Sequence, residues 1–139
     1  MKTVVSACLL GINCKYNGKN NLHAGVMAYV QGKDVIPLCP EQLGGLPTPR
    51  PCAEIVNGVV TDQYGKSVDA EYRLGVQRAM EQIKNEEIDL AILQSRSPCC
   101  GVPQIYDGSF SGRLIEGQGV FAKALSEAGY RVTDAAEYE

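Results

Sequence analysis

The chain has 139 residues, of which 45% are hydrophobic and 21% are charged, and its formal net charge is −3. This length and composition predict one globular domain, residues 1–139, that buries enough surface to fold without a disulfide. No apolar run approaches the roughly 18 residues of a membrane span, and no basic cluster could neutralise a row of phosphates. We therefore expect no membrane insertion and no direct nucleic-acid binding.

The six cysteines are the informative part of the composition. The apolar stretch at the amino terminus is short and is broken by Gly11, Asn13 and Lys15, which argues against a secretory signal. We therefore expect a cytoplasmic protein, whose thiols stay reduced. In such a protein, metal binding or catalysis is the usual reason for many cysteines.

The apolar pattern predicts strands that alternate with helices. Strands are expected at residues 3–7, 34–38, 90–93 and 130–132, and helices at 24–30, 68–83 and 120–128, the second capped by Ser67. Pro37 donates no ladder hydrogen bond, so its strand is expected at an edge of the sheet, or Pro37 at the end of the strand. The pattern predicts an α/β fold: a small three-layer domain with a mostly parallel, Rossmann or flavodoxin-like sheet.

Three segments between these elements have other signatures. Asn57-Gly58 predicts a small hairpin over residues 54–60. Residues 41–51 hold two glycines and three prolines, which predicts a stiff loop with no helix. Residues 105–119 are expected to be a glycine- and serine-rich connection.

A cysteine follows each of three predicted strands: Cys8, Cys39 and the pair Cys99-Cys100. Ligands bind outside the carboxyl ends of parallel strands, so these thiols are expected to converge there. Thiolates from separate loops suit a metal centre better than a redox dithiol, which would show Cys-x-x-Cys. A zinc-stabilised structural domain is one alternative, but zinc favours tight knuckles and the only histidine, His23, lies in a polar loop. The dispersed cysteines favour an iron–sulfur cluster.

Three cysteine ligands would leave one iron of a four-iron cluster open, and that iron could hold sulfur. Adjacent cysteines tend to point in different directions, so only one of Cys99 and Cys100 is expected to ligate. Cys100 is favoured because the turn of residues 98–101 places it nearest the next loop. Cys14 and Cys52 do not follow a strand and are expected to be packing residues.

Five ordered motifs carry a family resemblance. They are SACLLG at residues 6–11, CPE at 39–41, GGLPTPRP at 44–51, RSPCCG at 96–101 and IYDGSFSG at 105–112. From Val5 to about Gly129 the chain resembles the thiouracil desulfurase-like family, long catalogued as a domain of unknown function. It departs from the common pattern at Cys99, where relatives usually carry Ser, and at Cys14, where some carry an apolar residue.

The resemblance implies a [4Fe-4S] cluster held by Cys8, Cys39 and Cys100, with one open iron. It further implies a non-redox desulfuration of a small thiolated pyrimidine such as 2-thiouracil, in which C=S becomes C=O and sulfide leaves through the open iron. Glu41 matches the family's candidate for acid–base work, and Ser97 matches a second polar residue of the pocket.

A different class of function is also open, namely a non-enzymatic carrier of a cluster or of sulfide for RNA thiolation. A carrier has no need of an acid–base group, so Glu41 beside Cys39 speaks against it. Arg50, between Pro49 and Pro51, is expected either to be exposed to solvent or to meet an anion or a base edge.

Overall fold

A computed structural model describes residues 1–139. The eight strands are β1 (Lys2–Ser6), β2 (Asp34–Leu38), β3 (Ala53–Val56), β4 (Val59–Asp62), β5 (Ile88–Leu93), β6 (Gln104–Tyr106), β7 (Leu114–Glu116) and β8 (Val132–Asp134). The α-helices are α1 (Ala24–Val30), α2 (Pro40–Leu43), α3 (Asp69–Ile83) and α4 (Val120–Glu127), and short 3-10 helices cover Ala7–Leu10 and Ala135–Tyr138.

The central sheet has the order β2-β1-β5-β8, and all of its pairs are parallel. The prediction of an α/β fold with a parallel sheet is therefore confirmed. β2, which contains Pro37, pairs only with β1 and forms an edge of the sheet. Two antiparallel hairpins, β3-β4 and β6-β7, lie outside the sheet.

Both faces of the sheet are covered. Successive side chains of a strand point to opposite faces, so Val4 of β1 belongs to one core cluster and Val5 to the other. The larger cluster joins the sheet to α3 and α4, and includes the fully buried Phe121. The smaller cluster joins it to α1 and the carboxyl-terminal 3-10 helix. Helices on two faces of one sheet form the three predicted layers.

The beginning of α3 differs from the sequence prediction. The N-cap residue is Val68, one position after the predicted Ser67, and Val68 makes no side-chain cap. The Ser67 hydroxyl does accept from the Asp69 amide at 3.4 Å, so it still caps an amide of the first turn. Ser67 forms an antiparallel bridge with Thr61, so its backbone belongs to the neighbouring hairpin. The Asp69 carboxylate accepts from the Val60 amide at 3.0 Å, which ties the first turn of α3 to the same hairpin.

Residues 41–51 were predicted to contain no helix. This prediction was wrong for residues 41–43, which belong to α2. Pro40 occupies the first position of α2, where the missing N–H costs nothing and the fixed φ favours the helix. The short helix ends at Gly44, and the rest of the segment is irregular.

α2 packs backbone to backbone on α3. A Cβ atom added to Gly44 would lie 1.9 Å from the carbonyl oxygen of Glu71, so no side chain larger than hydrogen fits between the helices at this point. The same contact brings Glu41 of α2 next to Tyr72 of α3.

Two further elements were misplaced in the sequence prediction. The last strand covers residues 132–134 instead of 130–132, because the Tyr130 amide donates to Leu125 and completes the end of α4. Residues 105–119, expected to be a connection, contain part of the β6-β7 hairpin. None of the four helices is both long and apolar enough to span a membrane.

Candidate metal centre and catalytic cavity

A cavity of about 760 Å³ opens at the carboxyl ends of β1, β2 and β5. The last residues of β1 and β2, Ser6 and Leu38, line its floor together with Gln94, which follows β5. The Gln94 amide donates to the Ser6 hydroxyl at 2.9 Å, which ties two of these strand ends together. The cavity therefore lies where a parallel sheet ordinarily binds its ligands.

Five of the six cysteines line this cavity: Cys8, Cys14, Cys39, Cys52 and Cys100. All six are free thiols.

Each of the three predicted ligands is positioned by the end of a strand. Cys8 lies in the 3-10 helix that follows β1, and its carbonyl oxygen accepts from the Asn21 amide at 2.9 Å. Cys39 directly follows β2 and is the N-cap residue of α2. Cys100 lies in a turn beyond β5, where its amide donates to the Ser97 hydroxyl at 2.7 Å.

Cys14 was expected to be a packing residue, yet the structure places it beside two predicted ligands. It is only 2% exposed, and its carbonyl oxygen accepts from the Cys39 thiol at 3.8 Å. The neighbouring Cys39 thiol lowers the pKa of Cys14, but the neighbouring Cys8 thiol and burial raise it, and the net result is about 11. The neighbouring Cys14 thiol, followed by burial, raises the pKa of Cys39 well above its ordinary value. Without metal, the thiols of Cys14 and Cys39 hold their protons.

The adjacent cysteines 99 and 100 have different surroundings. Cys99 is fully buried and its carbonyl oxygen accepts from the Phe121 amide at 2.7 Å, so it packs between the sheet and α4. A hydrogen bond with Cys100, together with burial, raises the pKa of the Cys99 thiol. Cys100 alone of the pair lines the cavity.

Glu41 lines the cavity, and one of its carboxylate oxygens is held from two sides. The Tyr72 hydroxyl donates to Oε1 at 2.5 Å, and Arg50 reaches the same oxygen at 3.2 Å through Nη2. Arg50 is 8% exposed, so it is neither a solvent-facing arginine nor free for an anion. It also donates to the Cys14 carbonyl oxygen at 2.8 Å. Arg50 thus links the acid to the cysteine loop.

Ser97 also lines the cavity. Its hydroxyl oxygen accepts from the Cys100 amide, and its carbonyl oxygen accepts from the Gly101 amide at 2.9 Å. The residue therefore shapes the turn that presents Cys100. A serine hydroxyl that accepts one hydrogen bond still has its O–H to donate, and no protein group receives that proton here.

The mouth of the cavity carries aromatic side chains: Tyr16, Tyr106 and Phe110. Phe110 lies on the loop between β6 and β7, with a positive φ of 58°. The buried Glu54 carboxylate fixes this loop by accepting from the amides of Gly108 and Phe110 at 2.9 and 3.2 Å. Flat apolar surfaces at the mouth suit a planar ring.

The donor set suits an iron–sulfur cluster. No group of three or more His, Cys, Asp or Glu side chains is arranged to hold a single metal ion. The ligands of a four-iron cluster bind different iron atoms, so they need not meet at one point. Thiols that enter one cavity from three strand ends are the ligand type that such clusters use.

Comparison with known proteins gives the family of the chain. The family model for 2-thiouracil desulfurase matches residues 3–137. The chain belongs to the 2-thiouracil desulfurase family. This confirms the resemblance drawn from the five sequence motifs.

Two relatives of this 2-thiouracil desulfurase family member agree with it over most of their length. The uncharacterized protein YbbK of Bacillus subtilis (strain 168) is 39% identical over 93% of this chain and 92% of its own. The solved structure of the [4Fe-4S]-dependent thiouracil desulfidase TudS matches with a TM-score of 0.90 and 34% identity, covering 98% of this chain and 91% of that one. The chain therefore has the same fold as that solved structure.

The structure of this family member brings all five predicted site residues, Cys8, Cys39, Glu41, Ser97 and Cys100, to one cavity. Their chemical roles remain predictions. Cys14 and Tyr72 were not assigned to the site from the sequence, and Arg50 was expected to meet solvent, an anion or a base edge instead of Glu41. The short spacing between Cys8 and Cys14 in the sequence could have indicated that Cys14 belongs to the site. No sequence feature indicated Tyr72, because its position fits the ordinary apolar spacing of α3.

Proposed function

We propose that this protein is an iron–sulfur-dependent desulfurase that hydrolyses a small thiolated pyrimidine such as 2-thiouracil, without net oxidation or reduction. One observation carries the proposal: a carboxylate and a hydroxyl, Glu41 and Ser97, line the same cavity as the strand-end thiols. Metal-binding thiols alone would suit a storage or structural site. Acid–base groups beside them suit a reaction.

The proposed cofactor is a [4Fe-4S] cluster held by Cys8, Cys39 and Cys100, with one iron free of protein ligands. These three residues follow three different strands, so they reach the cavity on three separate connecting segments. Cys14 is not included in this ligand set, because it lies in the same segment as Cys8 and would be a second ligand from the same side. When bound, such a cluster supplies a Lewis acid for the thiocarbonyl sulfur.

The proposed reaction is R₂C=S + H₂O → R₂C=O + H₂S, in which the carbon–sulfur bonds break and carbon–oxygen bonds form with no change in the electron count. The Glu41 carboxylate takes one proton from the attacking water and passes it to the departing sulfur, and the second proton of that water follows when the hydroxyl on carbon becomes the carbonyl. The Ser97 O–H, unused by the protein, donates to the carbonyl oxygen or to a ring nitrogen of the substrate. Water activation by such a base is typically worth about 10²–10⁴-fold in rate.

The aromatic side chains at the mouth support a planar substrate. Tyr16, Tyr106 and Phe110 offer ring faces against which a pyrimidine can stack. The proposed compartment is the cytoplasm, since six free thiols and an open iron require reducing surroundings.

The decisive experiment uses protein reconstituted with iron and sulfide under anaerobic conditions. Incubated with 2-thiouracil and no reductant, it is expected to release sulfide and uracil in equal amounts. The matched control is Glu41→Gln, reconstituted in the same way, which should keep the visible iron–sulfur absorbance and lose most of the turnover. Unchanged 2-thiouracil after incubation with fully loaded wild-type protein would refute the proposal and favour a cluster or sulfide carrier.

A further inference from the structure

The Glu41 carboxylate is bound asymmetrically. Both hydrogen bonds that it makes go to Oε1, from the Tyr72 hydroxyl and from Nε of Arg50, and Nη2 of Arg50 makes an ion-pair contact with the same oxygen. Oε2 makes no hydrogen bond within the protein. Since no buried side-chain oxygen or nitrogen lacks a partner, Oε2 must be open to solvent, and Glu41 meets solvent at the cavity.

Tyr72 and Arg50 are both built into the protein interior. Tyr72 is 3% exposed, and Arg50 has its guanidinium fixed by the carbonyl oxygens of Pro47 and Cys14 besides Glu41. A guanidinium held at several points in a fixed plane has little freedom to follow a moving carboxylate. Glu41 is therefore held by groups that cannot move with it.

We infer that Tyr72 and Arg50 are positioning residues that clamp Oε1 of Glu41 and thereby reserve Oε2 as the oxygen that exchanges a proton with water in the cavity. The inference rests on the proposed function for its kinetic consequence. The energetic coupling between Tyr72 and Glu41, which is its structural part, does not depend on the identity of the substrate.

Tyr72 is suited to this role as a hydroxyl that stays protonated. Burial and then the charge of Glu41 raise the pKa of Tyr72 well above its ordinary value. The hydroxyl is therefore a donor throughout the working pH range. Hydrogen bonds from such donors to an ionised carboxylate are about twice as strong as those between neutral groups.

The test variant is Tyr72→Phe, which removes one hydroxyl and keeps the buried ring. Tyr64→Phe is the control, because Tyr64 is 77% exposed and does not line the cavity. In anaerobically reconstituted protein, Tyr72→Phe should lower kcat about tenfold and leave KM within about twofold. The visible iron–sulfur absorbance should equal that of the wild type, and Tyr64→Phe should change none of these quantities.

Arg50→Lys is a second variant, which keeps the charge but loses the planar fork. It should also lower kcat with KM unchanged. If it does not fold, Tyr72→Phe decides alone. A fall in kcat that is matched by a rise in KM would mean that Tyr72 contacts substrate directly and would overturn the positioning role.

A double-mutant cycle gives a readout that does not depend on turnover. The midpoint of anaerobic thermal unfolding is measured for the loaded wild type, Tyr72→Phe, Glu41→Gln and the double variant. The neutral amide of Gln is a weaker hydrogen-bond acceptor than the carboxylate, so removal of the Tyr72 hydroxyl should lower the unfolding midpoint less when residue 41 is Gln. The midpoint shift of the double variant should therefore differ from the sum of the two single shifts. Additive shifts, or wild-type kcat in Tyr72→Phe, would overturn the inference. If the wild type releases no sulfide while the shifts fail to add, the proposed function falls and the clamp stands.

Discussion

Gly75 of α3 lies so close to Pro40 of α2 that a Cβ atom added to Gly75 would stand 1.7 Å from the Pro40 carbonyl oxygen. Pro40 separates the proposed ligand Cys39 from the proposed acid Glu41. The close approach of the helices therefore sets the distance between the acid and Tyr72, 2.5 Å between the hydroxyl oxygen and Oε1. A packing contact at a glycine thus determines the geometry of the cavity wall.

Gly75→Ala is expected to push α2 away from α3, because the new methyl group meets backbone and not a flexible side chain. Overpacking of this kind costs about 1–3 kcal/mol in the free energy of unfolding. We also expect kcat for desulfuration to fall, since the bond from Tyr72 to Glu41 lengthens. Urea denaturation and steady-state kinetics measure the two effects.

The matched control for that variant is Gly117→Ala. A Cβ at Gly117 would meet only the side chain of Ile105, at 3.1 Å, which can move aside. This variant should change the stability by less than about 1 kcal/mol. If both variants lose the same amount of stability and of kcat, the contact between Gly75 and Pro40 is no more important than an ordinary packing contact.

The cysteine variants should separate ligands from packing residues. Cys8→Ser, Cys39→Ser and Cys100→Ser should each lose the visible absorbance and most of the iron after reconstitution. Cys99→Ser should keep both, because Cys99 packs against α4 and does not reach the cavity. Iron analysis per protein chain measures this directly, and retention of iron in Cys100→Ser would show that the third ligand has been misassigned.

Cys14→Ser tests the remaining thiol of the cavity. It lines the cavity and its carbonyl oxygen lies 3.8 Å from the Cys39 sulfur, so it is the strongest competitor for a ligand position. Under the proposed ligand set, Cys14→Ser keeps the iron content of the wild type. Loss of iron in this variant, with retention in Cys8→Ser or Cys39→Ser, would replace one of the proposed ligands by Cys14.

The parallel sheet and its helices were predictable because runs of apolar residues indicate buried strands, and apolar residues at helical spacing indicate the buried face of a helix. The edge position of β2 was predictable because Pro37 cannot donate within a ladder. α2 could not be predicted from local composition. A four-residue helix among glycines and prolines is stabilised by its tertiary contact with α3, and the sequence gives no local sign of that contact.

The candidate site was predictable to the extent that its residues follow strands or belong to motifs. The sequence alone was enough to place Cys8, Cys39 and Cys100 beyond the carboxyl ends of the parallel strands. Tyr72 could not be placed there, and the motif that contains Arg50 did not indicate its partner. Arg50 and Tyr72 contact Glu41 across 9 and 31 positions of the chain. A buried arginine and an exposed one look alike in a single sequence.

Cys52 offers a test of the electrostatics at the cavity wall. Burial and then the negative charge of Glu54 raise the pKa of its thiol. The thiolate is the reactive form, so alkylation of Cys52 in folded protein should be slower at pH 8 than in urea-unfolded protein and should still increase above pH about 9. Peptide mapping after iodoacetamide treatment gives the rate at this residue, and Cys52→Ser identifies its peptide. Faster alkylation in the folded protein would contradict the raised pKa.

Glu54 should control how the cavity mouth binds substrate. Its Oε1 accepts from the amides of Gly108 and Phe110, so Glu54→Ala releases the loop that carries Phe110. Hydrogen bonds to a charged group of this kind are each worth about 1.5–3 kcal/mol, and their loss should leave the loop mobile. We expect KM for 2-thiouracil to rise several-fold with a smaller change in kcat, and limited proteolysis to cut faster within residues 107–113. Glu116→Ala is the control, because Glu116 is exposed and makes no side-chain hydrogen bond or ion pair. If both variants keep the wild-type KM and cleavage rate, the loop does not hold the substrate.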